Sequence, residues 1–427
     1  MKKTIKLAVV AALALGTTSA FATNGTNLIG YGAKSRAMGG TAISNFNGAE
    51  SAFANPALIT SSKKTTEITI GATILMPDVA FDAEAGANAV LSQGTVTSAS
   101  SNSSTAGDGM VPSVAVINKY NDSFAWGLAL YGVGGMGVDY RTTTPDSTIT
   151  GAGSNDNLML MRMSIPLAYT ISGFSVGIAP VIEYGALSMN TVPTRDPNTG
   201  APNGSVSGVT TDIAMGFEVG ATYSISGVSL GLDYKSAVTH DFVGTFDSKG
   251  MTAQAGENTK LDTPAVIAAG ISYSIAGSTI AFDYKNIAYS SAAGFEDFGW
   301  EDQSVFALGY EYAAESWGVR VGYNYGASPL PTDIDLTMAD GGVSMNQVVG
   351  GMMMFPAVTE SHYTIGGSYN FNETISADLA LMYATGSASA DIPAFNPGTG
   401  APLGVAAGEI TATNDQTAVS FALNYAY

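Results

Sequence analysis

Cysteine is absent from the 427 residues, and histidine occurs only twice, as His240 and His362. The first absence excludes a disulfide scaffold and thiolate metal centres. The second leaves little material for imidazole catalysis. Charge is also scarce. Only 12% of residues are charged, against about 25% in ordinary soluble domains. The balance is acidic, with a formal net charge of −19, so the basic face that nucleic acid requires is missing. Long apolar runs are missing too. Beyond the first residues no stretch reaches the ~18 apolar side chains of a membrane-spanning helix.

What is present is hydrophobic all the same: 46% of residues are apolar and the mean hydropathy is +0.19. An apolar chain without spanning helices has one other way through a bilayer, a closed β-barrel that pairs every backbone group. The 51 glycines and 20 tyrosines suit barrel strands and interfacial aromatic girdles.

The chain opens with Lys2, Lys3 and Lys6, an apolar stretch from Leu7 to Leu15, and the small-x-small triplet Ala20-Phe21-Ala22. This is the pattern of a secretory signal, and cleavage is expected after Ala22. Three segments follow: a signal peptide at 1–22, a non-alternating segment at 23–66 and a barrel at 67–427.

Alternation is clearest at the end of the chain. Val419, Phe421, Leu423, Tyr425 and Tyr427 point one way, and Ser420, Ala422, Asn424 and Ala426 the other. Fourteen such strands can be read, from Glu67–Leu75 to Gln416–Tyr427. Short turns, such as Ser172-Gly173, Ser226-Gly227 and Ala276-Gly277, alternate with long polar loops, such as Met76–Val111, Gly326–Ser361 and Ala384–Asp415. Outer-membrane barrels segregate their connections in this way, with short periplasmic turns and long external loops. The same alternation puts Trp317, Val319, Val321, Tyr323 and Tyr325 against lipid and Arg320 and Asn324 in the lumen. By that register Asp233, Lys235, Asp283 and Lys285 also point inward, as a paired lumen network or as binding groups.

Residues Thr23–Thr66 do not alternate, and glycines break any long helix there. Leu28, Ile29, Tyr31, Met38, Ile43, Phe46, Phe53, Leu58 and Ile59 make the segment too apolar for a solvated tether. A plug inside the lumen is expected.

This segment resembles the N-terminal hatch of the long-chain fatty acid transporter (FadL) family, which includes toluene-type hydrocarbon channels. The resemblance rests on Gly39-Gly40 followed by Asn55-Pro56-Ala57-Leu58-Ile59. It continues through Phe124-Ala125-Trp126-Gly127, Asp233-Tyr234-Lys235-Ser236, Ser328-Pro329-Leu330-Pro331 and the terminal Asn424-Tyr425-Ala426-Tyr427. It implies an all-β fold, a 14-stranded antiparallel transmembrane barrel with the hatch in its lumen. It also implies capture of a hydrophobic small molecule at the outer face and lateral exit beside a kinked third strand. Asn55, Pro56 and Ala57 are then the hatch motif.

Gly132, Gly134 and Gly135, at the outer end of the third strand, mark either a bend at that gap or the entry to an external loop. Met352, Met353, Met354 and Phe355 form an apolar run expected in an external loop, where they either capture cargo or pack over the barrel mouth. Lys235, Lys285 and Arg320 are the candidate partners of a cargo carboxylate. The stretch Glu296–Asp302 before the tenth strand is acidic, which favours neutral aromatic hydrocarbon as the alternative cargo, while the family resemblance keeps long-chain fatty acid first. Phe421, Tyr425 and Tyr427 are the expected assembly signal for the barrel-assembly machinery.

Expected surroundings are outer-membrane lipid and lipopolysaccharide, with the barrel acting as a monomer and no cofactor or metal. An enzyme would need a base, and His240 beside Asp241 is the one suggestive pair, without a nucleophile to complete it. A non-selective porin or an adhesin barrel is the remaining alternative.

Overall fold

The short turns reverse the chain by a specific backbone geometry. Ser172, Ser226 and Ala276 adopt φ of 51°, 50° and 49°, each followed by a glycine at 81°, 85° and 83°. Two successive left-handed residues make a type I′ turn, whose twist matches the strands on either side. Alanine is poorly suited to the first position, whereas asparagine tolerates it. Ala276→Asn is therefore expected to stabilise the barrel by roughly 0.5–1 kcal/mol. A rise in the urea midpoint of detergent-refolded protein would report it.

The computed structural model describes residues 23–427 other than 92–96, 142–153, 196–201, 207, 253, 336–342 and 397–398. The leader therefore lies outside the described residues. Fourteen barrel strands follow in order: β1 (Thr66–Ala83), β2 (Gly109–Lys119), β3 (Phe124–Asp139), β4 (Asn155–Ser164 and Leu167–Ile171), β5 (Phe174–Arg195), β6 (Thr210–Ile225), β7 (Val228–Lys235 and Val238–Asp241), β8 (Lys260–Thr263 and Val266–Ile275), β9 (Ser278–Ile287), β10 (Gln303–Ala313), β11 (Trp317–Gly326), β12 (Ser361–Asn370), β13 (Ile375–Thr385 and Ser387–Phe395) and β14 (Pro402–Ala426). Each pairs antiparallel with the next. β1 pairs with β14 from Glu67↔Ala426 to Ala83↔Ile410, which closes the barrel.

Alternation places side chains as expected on the lipid side. Leu230, Leu232, Ile280, Phe282, Val319 and Val321 are exposed, while Asp233, Asp283, Arg320 and Asn324 are buried inside. A lipid-facing Arg or Lys at mid-bilayer would cost about 2–4 kcal/mol, and the register avoids it.

Several strands run taller than their apolar alternation. β1 continues past Leu75 to Ala83, β5 reaches Arg195, and β14 begins at Pro402 rather than Gln416. The stretch expected as the long loop Ala384–Asp415 is thus mostly hairpin, with a tip where Asn396 N donates to Ala401 O at 2.8 Å. Above the bilayer, ladder hydrogen bonds persist while the need for an apolar outer face ends.

Residues 23–65 lie inside the wall. They contain a short helix, Ala33–Ala37, and two 3₁₀ turns, Gly48–Phe53 and Pro56–Ser61. Ile29, Met38, Phe53 and Ile59 are fully buried.

Candidate functional site

The wall holds the N-terminal segment mainly through that segment's backbone. Asp283 accepts from Ala42 N (2.7 Å) and Ile43 N (3.0 Å). Lys285 donates to Ile29 O (3.0 Å) and Gly40 O (3.1 Å). Asn324 donates to Gly39 O at 3.0 Å. Thr364 accepts from Gly39 N at 3.0 Å and donates to Ala37 O at 3.1 Å. Lys235 donates to Ala54 O at 3.0 Å. Asn55 caps the turn that begins at Pro56 by accepting from Ala57 N at 3.0 Å. Its amide also donates to Ile43 O (2.9 Å) and Leu232 O (3.2 Å), joining the segment to β7.

Inward-facing glycines let backbone meet backbone. A Cβ added at Gly231 would lie 2.0 Å from Ile43 O, and one at Gly322 would lie 2.1 Å from Gly39 N. Gly177 stands in the same relation to Ala57 N (2.5 Å), and Gly220 makes room for the Asn55 side chain, whose Oδ1 would lie 2.0 Å from an added Cβ. Sequence reading missed this belt. Its signal is glycine recurring at the inward register of several strands.

The wall itself is split between β2 and β3. Their ladder runs from Lys119↔Ala125 only to Ser113↔Tyr131. β2 continues to Gly109 against β1, and β3 continues to Asp139 against β4. On β3 the register with β4 slips between Gly132 and Gly134, leaving Val133 as a bulge. The glycines therefore lie within the strand, at a bulge rather than at a loop entry. The N-terminal segment fills the split. Asn27 bridges Gly134, and Gly135 N donates to Thr26 O at 3.2 Å. A Cβ at Gly134 would come within 2.2 Å of Thr26 O, so only glycine permits this approach.

Above the split, one continuous buried apolar cluster links the outer end to the lumen. It includes Met352, Met353, Met354 and Phe355, Tyr140, Val138, Met136 and Tyr131, and it takes in Phe53 and Ile59 of the N-terminal segment. The methionine run is helical, not a loop. The helix Met345–Met354 starts from a capping box in which Ser344 and Gln347 satisfy each other's backbone N–H groups. Phe355 stacks edge-on against Phe298 at 5.5 Å.

The three candidate carboxylate partners are already engaged. Lys235 sits 3.2 Å from Glu218 and 3.3 Å from Asp233. Lys285 is spent on the two carbonyls above. Arg320 pairs with Glu311 and donates to Ser368 Oγ at 2.5 Å. Arg162 anchors a further buried network with Glu183 (2.6 Å) and Glu218 (3.3 Å). His240 joins this network at Glu183, 3.2 Å away. It turns inward while Asp241 turns out, so the adjacent pair never forms a dyad. His362, near the start of β12, is fully buried, with Nδ1 3.4 Å from Asn324 O.

One buried cation stands apart. Arg36, from the N-terminal segment, donates from Nη2 to Gly30 O at 3.0 Å, and its Nε and Nη1 have no partner among the described residues. Burial lowers its pKa to about 10, with Glu50 opposing, so it stays charged at neutral pH.

These features define a transmembrane β-barrel of the outer membrane whose lumen is filled from its own N-terminus. The model of outer membrane protein transport proteins (OMPP1/FadL/TodX) matches residues 7–341, and the chain belongs to that family. Similar solved structures include a Pseudomonas aeruginosa FadL homologue (15% identity, TM-score 0.64, covering 96% of this chain and 100% of that one). The Pseudomonas putida toluene transporter TodX (16%, 0.63, 95% and 100%) and the Ralstonia pickettii toluene transporter TbuX (18%, 0.61, 94% and 99%) are also similar. At these identities the likeness is one of fold. TodX and TbuX are toluene transporters, and the family is one of transport proteins rather than enzymes. An uncharacterized Chlorobium limicola protein, encoded in the 5′ region of a phosphoenolpyruvate carboxykinase gene, is 46% identical over 83 residues. That match spans 19% of this chain and 41% of the relative, so the chain spans about two fifths of that curated relative's length.

Proposed function

We propose that this protein is a passive uptake channel for hydrophobic compounds, with long-chain fatty acids as its first cargo. Cargo enters at the apolar outer cluster around Met352–Phe355. It moves along the buried apolar column and leaves sideways where β2 and β3 part. The observation that carries this reading is the split ladder, closed by Thr26–Leu28 rather than by strand pairing. Sideways release into lipid suits apolar cargo, for which a water-filled pore offers no favourable path. Residues 23–65 act as the hatch, with Asn55, Pro56 and Ala57 at its centre.

The hatch is closed here. The space between it and the wall near Tyr31 and Lys285 is about 40 Å³, room for a few waters at most. Transport therefore requires hatch movement. Aromatic hydrocarbon is the second reading, favoured by the absence of a free cation among Lys235, Lys285 and Arg320. The exported chain, cleaved after Ala22, would act as a monomer among outer-membrane lipid and lipopolysaccharide. Phe421, Tyr425 and Tyr427 would present the terminal strand to the assembly machinery.

Ligand retention tests the reading. Purified barrel is incubated with oleate and alkylbenzenes together, and bound species are identified by mass spectrometry. Retained oleate supports fatty acid uptake, and retained alkylbenzene alone moves the cargo to aromatic hydrocarbons. Retention of neither overturns the channel reading.

A further inference from the structure

Arg36 is a charged side chain in a place that charge normally avoids. Its residue is 1% exposed. No carboxylate lies within 4.0 Å of it among the described residues, and two of its three guanidinium nitrogens lack partners. Other buried cations are matched, Arg162 by Glu183 and Lys235 by Glu218. The nearby Glu50 does not serve, because its carboxylate accepts from Ala33 N (2.9 Å) and Lys34 N (3.0 Å). Buried polar groups are nearly always satisfied, so an orphaned guanidinium calls for a missing partner.

Its position suggests which one. Arg36 borders the space at the β2–β3 split, together with Tyr31, Ser113 and Tyr131. On the same side lies a second apolar cluster, separate from the main column, formed by Leu28, Leu75, Val111 and Met382. A planar cation with free donors beside an apolar patch matches an acid with a hydrocarbon tail.

We propose that Arg36 and this apolar cluster form a receiving site for the carboxylate of an amphipathic acid at the β2–β3 exit. The proposal rests on the uptake reading and adds a head-group preference to it. The space is about 10 Å³ in the closed structure, one water at most. The acid therefore docks when Thr26–Leu28 withdraw from β3.

The test measures the affinity of full-length protein for palmitate and for the uncharged hexadecanol, in wild type, Arg36→Gln and Arg36→Lys. Arg36→Gln is expected to weaken palmitate binding about 10- to 100-fold, the range for a charge-assisted hydrogen bond. Hexadecanol binding is expected to stay within about twofold. Arg36→Lys, which keeps charge but loses the fork, should fall between. If Arg36→Gln yields no folded barrel, Arg36→Lys carries the test on the palmitate-to-hexadecanol ratio alone. Equal weakening of both ligands, or an unchanged ratio, overturns the Arg36 site and leaves the channel reading intact. Failure of wild type to bind either ligand overturns both.

Discussion

Replacing Gly231 and Gly322 together by leucine is expected to turn a closed barrel into an ion-conducting one. Each new side chain projects into the lumen where N-terminal backbone already sits, with the first carbon 2.0 Å from Ile43 O and 2.1 Å from Gly39 N. These neighbours are backbone atoms, not flexible side-chain tips, so the overlap cannot be relieved by a rotamer change. The strands remain paired from Val228↔Tyr273 to Lys235↔Val266 and from Val305↔Gly326 to Ala313↔Gly318. Displacing residues 23–65 is then easier than breaking the wall. Eight-stranded barrels are filled by their own side chains, and barrels of 16–18 strands leave an aqueous channel. A 14-stranded barrel without its plug should therefore conduct. Planar bilayer recordings should show discrete steps from the double variant and near silence from wild type. Silent variants that retain a folded barrel would mean that the segment does not seal the lumen.

The second large effect concerns Arg162. Its guanidinium is 2.6 Å from Glu183 and 3.3 Å from Glu218, with every partner buried. Glu183 also accepts from Thr263 and meets His240, so one carboxylate ties β4, β5, β7 and β8 together. Arg162→Met leaves buried Glu183 without its main cation and Glu218 with Lys235 alone, which costs roughly 3–5 kcal/mol. The urea midpoint of the refolded barrel should drop sharply. Adding Glu183→Gln should recover part of the loss, because the uncompensated charge rather than the missing contact dominates. Equal loss in single and double variants would argue against that cause.

The parts of this structure legible in sequence are those that lipid dictates. Trp317 to Tyr325 alternate because one face meets hydrocarbon, and the same rule located Asp233, Asp283 and Arg320 inside. Where lipid ends, the outward apolar signal fades: along Met76–Ala83 and Pro402–Asp415 the buried apolar side chains, Val79, Phe81, Ile410 and Ala412 among them, face inward. The N-terminal segment was legible as apolar and glycine-broken, but its docking was not. Ala42 N, Ile29 O and Gly40 O are backbone groups, identical in every residue, so their capture by Asp283 and Lys285 leaves no mark on residue choice in the segment. Gly231 and Gly322 did leave a mark, yet what they make room for lies about 190 to 280 residues away in sequence. The outer helix was hidden by Gly350-Gly351, which lower helix propensity, although Ser344 and Gln347 carry its start signal. His240 and Asp241 mislead as neighbours, because consecutive strand residues face opposite sides.

The central claim is sideways release of apolar cargo past a hatch that excludes water-soluble molecules. The most direct measurement is flux across asymmetric bilayers with a lipopolysaccharide outer leaflet, comparing a long-chain fatty acid with a small sugar in the same vesicles. Delivery of the fatty acid into the bilayer is expected to accelerate, and entry of the sugar is not. Rapid sugar entry with unchanged fatty acid transfer would contradict it and make the protein a water-filled pore.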